Sequence, residues 1–293
     1  NLYNAGADVQ LHATRIYEGE ATLGAGLYNA GGALSLTNAF VSNNEANDLG
    51  GGVYVAAGDL TLLNDIFHAN TANTGGGAVY FLGDSFTMTN TVVANSYSGG
   101  GSLLAQEHAA VQVASGSAAA AYNFYYDNNS SDFSGFIEGT GTISGTVSSD
   151  PLFVDTTSTP ADLHLASASS PAWNNGDPAT ALDVDFDGDS RPIPAGLPVD
   201  IGADEYLGMP GVTLESDGKQ ELNPGASYVY THTLTNNGEF TDTFDLELNS
   251  SQGWTRLLTP AVVELGSEES AEVQVEVQVP LGTGGLEDFT YVV

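Results

Sequence analysis

The chain has no cysteine, only four basic side chains among 293 residues, and no apolar run of transmembrane length. Each absence excludes something. Without Cys there are no disulfides and no thiolate metal sites, and redox chemistry does not mark the compartment. Lys plus Arg number 4 (Arg15, Arg191, Lys219 and Arg256) against 37 Asp plus Glu, a formal net charge of −33. Such a surface repels nucleic acid, because displacing phosphate counterions takes Lys and Arg. It repels anionic lipid headgroups for the same reason, and no segment is suited to direct membrane insertion. It attracts cations, Ca²⁺ first among them, because Ca²⁺ prefers carboxylate oxygens. The alternative is that the acidity serves solubility alone. The chain starts at Asn1 without Met or a signal peptide, so a mature or excerpted segment is expected.

What is abundant is Gly (36 residues), with Asn, Ser and Thr, around a 41% hydrophobic content. This favours many short strands joined by tight turns. Four segments align: Leu2-Tyr3-Asn4, Leu27-Tyr28-Asn29, Val53-Tyr54-Val55 and Val79-Tyr80-Phe81, at steps of 25, 26 and 26 residues. A second strand follows each at constant offset: Val9/Leu11, Leu34/Leu36, Leu60/Leu62 and Phe86/Met88. Within each pair apolar and polar residues alternate, so one face points inward. Asn38, Asn64 and Asn90 mark a third slot. A unit of about 25 residues with three short strands cannot bury its apolar face alone; stacked units can. The expected fold is all-β: a right-handed single-stranded parallel β-helix, with regular coils over 1–100 and an irregular closing region over 101–206. The Asn slot is expected to form a side-chain amide ladder; Asn also tolerates left-handed backbone at a turn. The glycine triplets at 50–52, 75–77 and 99–101 recur with the coil and read as its corners. Leu207 to Pro210 reads as a linker opening a second domain over 207–293. There, strands are expected at 211–215, 226–235, 240–248, 253–258, 261–265, 270–278 and 286–293, with hairpin chemistry at Asn236-Asn237-Gly238. Seven short strands suggest an immunoglobulin-like sandwich.

Several motifs carry resemblances. Gly31-Gly32-Ala33-Leu34, Gly76-Gly77-Ala78-Val79, Phe40-Val41-Ser42-Asn43 and Phe67-His68-Ala69-Asn70 resemble polymorphic outer-membrane-protein repeats. Asp150-Pro151-Leu152-Phe153, Ser169-Ser170-Pro171-Ala172, the run from Asp183 to Pro192 and the run from Val199 to Tyr206 resemble, in that order, the closing region of bacterial surface β-helix proteins of the choice-of-anchor Q type. Asn223-Pro224-Gly225, the run from Leu234 to Gly238, Asp242 to Asp245 and Gly253-Trp254 are similar to the NPCBM-associated β-sandwich. These resemblances imply a secreted, surface-associated protein and no particular activity.

Chemistry could lie in a few places. Asp183, Asp185, Asp187 and Asp189 alternate around Gly188. Carboxylates at i, i+2 and i+4 can converge on Ca²⁺ when Gly turns the loop sharply. An EF-hand fails, because its twelfth position is Pro194, but Asp200, Asp204 and Glu205 lie close in sequence as acids that can complete a site. The competing reading is an Asx-turn cluster with Arg191 as counter-ion. A polysaccharide lyase needs a cationic site with Arg or Lys as base, and the coils offer Arg15 alone. A glycosidase needs two carboxylates about 5–9.5 Å apart. The slot of Asp65 holds Ala39 and Thr91 in neighbouring coils, and that of Asp59 holds Ala33 and Ser85. Asp127 and Asp132 fall where slots cannot be assigned. The histidines at 12, 68, 108, 164 and 232 share no metal-binding spacing. Tyr3, Tyr28, Tyr54 and Tyr80 should face outward, either as an aromatic strip for sugar rings or a partner, or as rings packed on one another. The expectation is a non-enzymatic, extracellular structural or adhesive protein of a cell surface, sheath or fibre, self-associating end to end. The alternative is a polysaccharide-binding or polysaccharide-degrading module.

Overall fold

The computed structural model describes residues 1–99, 109–128, 131–136, 139, 143–145, 150–180, 182–193, 195–215 and 218–292. Gly100, Gly101, the Ala- and Ser-rich stretch through His108, and Pro194 lie outside the described residues. The chain divides into two compact units, Asn1–Leu207 and Gly208–Val293. No helix occurs among the described residues.

The first unit is a parallel β-solenoid. Equivalent strands of successive coils pair in register: Leu2, Leu27, Val53, Val79 and Val111 lie side by side, as do Val9, Leu34, Leu60, Phe86 and Ala118. Each of the first coils carries four strands rather than the expected three, because Glu20–Leu23, Glu45–Leu49, Thr71–Ala72 and Tyr97–Ser98 form a fourth sheet. These strands are short and polar outward, with Ala21, Ala46 and Ala72 inward, so they carry no strong hydrophobic alternation. The stack also continues beyond residue 100, where the regular coils were expected to end although the run from Tyr122 to Asn128 reads as another coil strand with its turn. Ala109–Val113, Ser117–Ala121 and Phe124–Tyr126 add a further coil. An insertion stretches the step from Val79 to Val111 to 32 residues, which hides the repeat. The interior is a column of Leu27, Val53, Val79 and Val111 facing Leu36, Leu62, Met88 and Val41, Phe67, Val93.

Left-handed backbone recurs at four places per coil, as at Gly32, Asn38, Asn43 and Gly50, and two of these bear on the expected corners. At the first, Gly24, Gly50 and Gly76 have φ of 60°, 68° and 63°, and a Cβ on Gly50 would stand 2.6 Å from the Val53 carbonyl oxygen. The second is the Asn slot: Asn38, Asn64 and Asn90 have φ of 51°, 54° and 51°. The expected amide ladder is absent there. Asn38 Nδ2 donates to Val184 O at 2.8 Å, Asn90 exchanges bonds with the Asp177 backbone, and both polar atoms of the Asn64 amide lack a protein partner. Asn occupies the slot for its backbone tolerance. Amide ladders do form elsewhere, between Asn4 and Asn29 at 2.6 Å and between Asn44 and Asn70 at 2.9 Å.

Residues 150–206 fold back over the outer face of the third sheet. That face carries Phe40, Ile66, Val92 and Phe124, all 2% exposed or less. Burying each such side chain contributes about 1.5–3 kcal/mol. The covering contacts include Phe186 on Phe40 with ring centroids 4.5 Å apart, Phe153 against His68 at 5.7 Å, and Gly202 N donating to Asn90 O at 2.8 Å. Thus all three residues of Phe40–Ser42 and of Val92–Ala94 are buried, on both sides of the sheet.

The second unit is antiparallel. Val212–Glu215, Ser227–Asn236, Ser270–Gln278 and Thr255–Leu257 form one sheet in that order. Asp242–Asp245 pairs with Val262–Leu265, and Leu248–Ser250 with Thr290–Val292. The expected strand 240–248 is thus two strands in different pairs. Asn236-Asn237-Gly238 is not a hairpin turn, since Ser227–Asn236 and Asp242–Asp245 do not pair with each other. It is a crossover, fixed by the buried Asn236 amide, which donates to Phe240 O and Leu265 O and accepts from Gly238 N.

Candidate functional site

The expected Asp quartet opens out instead of converging. Gly188 does turn the loop sharply, at φ 93°, and Val184 bridges back to Ser190. Asp185 points inward, 1% exposed. Its Oδ1 accepts from the backbone N–H groups of Asp187, Gly188 and Asp189, and its Oδ2 from that of Glu205. Both oxygens are therefore committed to the backbone, as in the Asx-turn reading. Asp183 and Asp187 are exposed and Asp189 half-buried. The four do not gather their ligand atoms at one point.

Among the described residues, the grouping that could hold a metal is His164, Asp187 and Asp204, whose ligand atoms lie within 4.8 Å of one another. Two of this set were legible: Asp187 as one of the alternating aspartates, and Asp204 as one of the nearby acids able to complete their site; His164 was not. His164 sits on the strand Asp162–Leu165, which pairs with Phe153–Asp155. Its Nδ1 contacts Asp162 Oδ1, and its Nε2 lies 2.7 Å from Asp187 Oδ2. The rings of Phe40 and Phe186 pack on the imidazole at 5.4 and 6.3 Å. Asp204 is 7% exposed and accepts one hydrogen bond, from Leu165 N at 2.7 Å. Burial pushes its carboxyl up to about 6. Burial opposes charge on His164, but Asp162, Asp204 and Asp187 together outweigh it and raise the imidazole above its ordinary value.

Beside this centre lies a second knot of charge. The Arg191 guanidinium is fully buried and pairs with Glu205 Oε2 at 2.9 Å. It also donates to the Asp200 and Gly202 carbonyls. Glu205 accepts from Ile193 N and Asp200 N. Asp200 accepts from Asn174 N and Tyr206 N, while burial and the Glu205 carboxylate push it up to about 8. Arg191 thus serves Glu205 directly, and Asp185 only at longer range.

The other candidates resolve as follows. Arg15 lies between the rings of Phe40 and Phe186, 4.8 Å from each centroid, and donates to Ala161 O. Asp65 is fully buried and accepts from Ala39 N and Leu63 N, so its carboxylate is not presented to a substrate. Asp127 occupies a coil corner, with φ 43°, and accepts from Tyr97 OH; Asp132 accepts from Asn128. Tyr3, Tyr28, Tyr54 and Tyr80 form one column, each ring against the next at 5.3, 5.0 and 5.8 Å. Their faces are turned to one another: Tyr54 is 8% exposed, and Tyr3, at the end of the column, is 68% exposed. In the second unit a cleft is lined by Tyr230, His232, Trp254, Val275, Phe289 and Tyr291.

Residues 211–285 match the family model of the VWA7 Ig-like domain, so the second unit is similar to that family. No curated protein and no solved structure matches the chain. A parallel β-solenoid followed by an Ig-like domain is the architecture of this chain.

Proposed function

We propose that the chain is a non-enzymatic structural or adhesive module of a cell surface, sheath or fibre, exported from the cell. The observation that carries this reading is where the repeated residues are spent. Tyr rings stack on Tyr rings, Asn amides bond Asn amides, and glycines turn corners. The repeat thus builds a stiff rod whose recurring side chains serve the rod itself. The motif resemblances to bacterial surface β-helix proteins and the net charge of −33 support an exposed, solvated setting. Self-association fits the same reading: the four strands of the first coil each lie at the edge of a sheet. Such an edge accepts a further coil, whether from a second copy or from a longer chain.

The alternative, a polysaccharide-binding or polysaccharide-degrading module, draws on the column of tyrosines. Sugar stacking needs a free ring face, which Tyr3 has and Tyr54 lacks. An array of polysaccharides separates the readings. Depletion of polymer means an enzyme, and retention lost in Tyr3→Ser means a glycan-binding strip. Neither, with self-association in sedimentation, is the outcome expected here. A monomer at all concentrations that retains a glycan would overturn it.

A further inference from the structure

The Asp204 carboxylate is more than nine-tenths buried, has one hydrogen bond, from a backbone N–H, and contacts no cation. It nevertheless lies within 4.8 Å of a second carboxylate, Asp187, and of the imidazole of His164. Two carboxylates brought together at a half-covered site repel unless a positive charge lies between them, and here that charge comes either from His164 itself or from a bound cation. Arg15, the nearest basic side chain on the solenoid, is occupied between Phe40 and Phe186. Arg191 is turned away onto Glu205.

We propose that His164, Asp187 and Asp204 bind one divalent transition-metal ion of the Zn²⁺ class, with Asp162 orienting the imidazole. The donor set decides the class. One imidazole nitrogen with two carboxylates suits a borderline ion, whereas Ca²⁺ takes six to eight oxygens. Asp162 on Nδ1 fixes the tautomer that leaves Nε2 free to ligate, the carboxylate–histidine–metal arrangement. Ligands about 2.1 Å from a common zinc ion lie about 3.4 Å apart in a tetrahedron. Separations of no more than 4.8 Å therefore close by at most about 1.4 Å, and the pair His164–Asp187, now at 2.7 Å, opens by about 0.7 Å. Asp187 is exposed enough to make that shift. Three protein ligands leave a fourth position for water. The ion ties together three stretches of the closing region: the strand Asp162–Leu165, the turn at Asp187 and the segment ending at Tyr206. It would hold that region as a cover on the third sheet, independently of what the rod binds.

The test uses the full chain, stripped with chelator and titrated with ZnCl2, with CaCl2 and with CoCl2. The expected result is one equivalent of Zn²⁺ bound, a rise in unfolding temperature, and a Co²⁺ visible spectrum with a nitrogen ligand. Asp187→Asn, an exposed position that should not disturb folding, should abolish binding, as should His164→Gln. Asp162→Asn should weaken binding about 10–100-fold. The alternative is that His164 is an imidazolium already satisfied by Asp162 and Asp187. That holds if Zn²⁺ neither binds stoichiometrically nor shifts the transition. Zn²⁺ binding that survives in Asp187→Asn and His164→Gln, or tighter binding of Ca²⁺ than of Zn²⁺, would equally overturn the proposal.

Discussion

Replacing Arg191 by Met tests the closing region at its most charged point. The guanidinium is fully buried, 2.9 Å from Glu205 Oε2 and bonded to the carbonyls of Asp200 and Gly202. Met keeps the length of the side chain and removes the charge. Glu205 would then be a buried carboxylate with two backbone N–H donors and no cation. Removing one member of a buried pair costs about 3–5 kcal/mol. Two carbonyls also lose a donor, at roughly 1 kcal/mol each. These contributions overlap, so the expected loss is about 4–6 kcal/mol. A second substitution checks the cause. In Arg191→Met/Glu205→Met the stranded charge is gone, and the double variant should be less destabilised than the sum of the singles, with a coupling of up to about 3 kcal/mol. Urea unfolding followed by tryptophan fluorescence measures this. The two tryptophans, Trp173 and Trp254, lie in different units, so a Trp254→Phe background isolates the first. The penalty should also grow from pH 5 to pH 8. Without Arg191, the neighbouring Asp200, already raised to about 8, and Glu205 can escape repulsion only by holding protons. A loss below about 1 kcal/mol, or strictly additive singles, would refute the claim that Arg191 compensates Glu205.

Three other perturbations have expected outcomes. Burial holds His68 down to about 4, so between 6.5 and 4 the unfolded chain binds a proton that the folded chain does not. Stability should therefore fall as the pH drops through that window, by about 3 kcal/mol in all. His68→Gln should flatten that limb of a plot of urea midpoint against pH, and an unchanged slope would count against the assignment. Tyr54→Ser removes two ring contacts and should cost about 1–3 kcal/mol, whereas Tyr3→Ser, with one contact, should cost under about 1.5; the reverse order of melting temperatures would contradict the stacked column. Gly50→Ala forces a Cβ onto left-handed backbone and against the Val53 carbonyl, and should lower stability by about 1–3 kcal/mol, visible as a shifted thermal midpoint.

The parts of the fold legible in the sequence are those governed by translation. Leu27, Val53 and Val79 meet the same neighbours in every coil, so the same chemistry recurs at steps of 26 residues. Where an insertion changes the step, as before Val111, or where the inward residue is a small Ala, as at Ala46 and Ala72, the signal fades although the pairing persists. The Asn slots show a finer limit. Asn38 and Asn64 recur at the same step as Asn44 and Asn70, yet only the second pair forms an amide ladder. Spacing fixes the column and leaves open whether the amide meets its copy or another segment. That other segment is the closing region, and its chemistry is built from pairs that no period links. Asp187 meets His164 across 23 residues, and Asp204 meets Leu165 across 39. The alternating aspartates were visible as a group because they are adjacent in sequence. The turn they lie in is what separates them: Asp185 turns inward to four backbone amides, while Asp187 turns outward to His164. Residues two apart would share one face of a straight strand, and it is the turn from Asp185 through Gly188 that parts them. Asp185 finds three of its partners within its own loop, whereas Asp187 finds His164 in another segment, a partner that no spacing in the sequence marks.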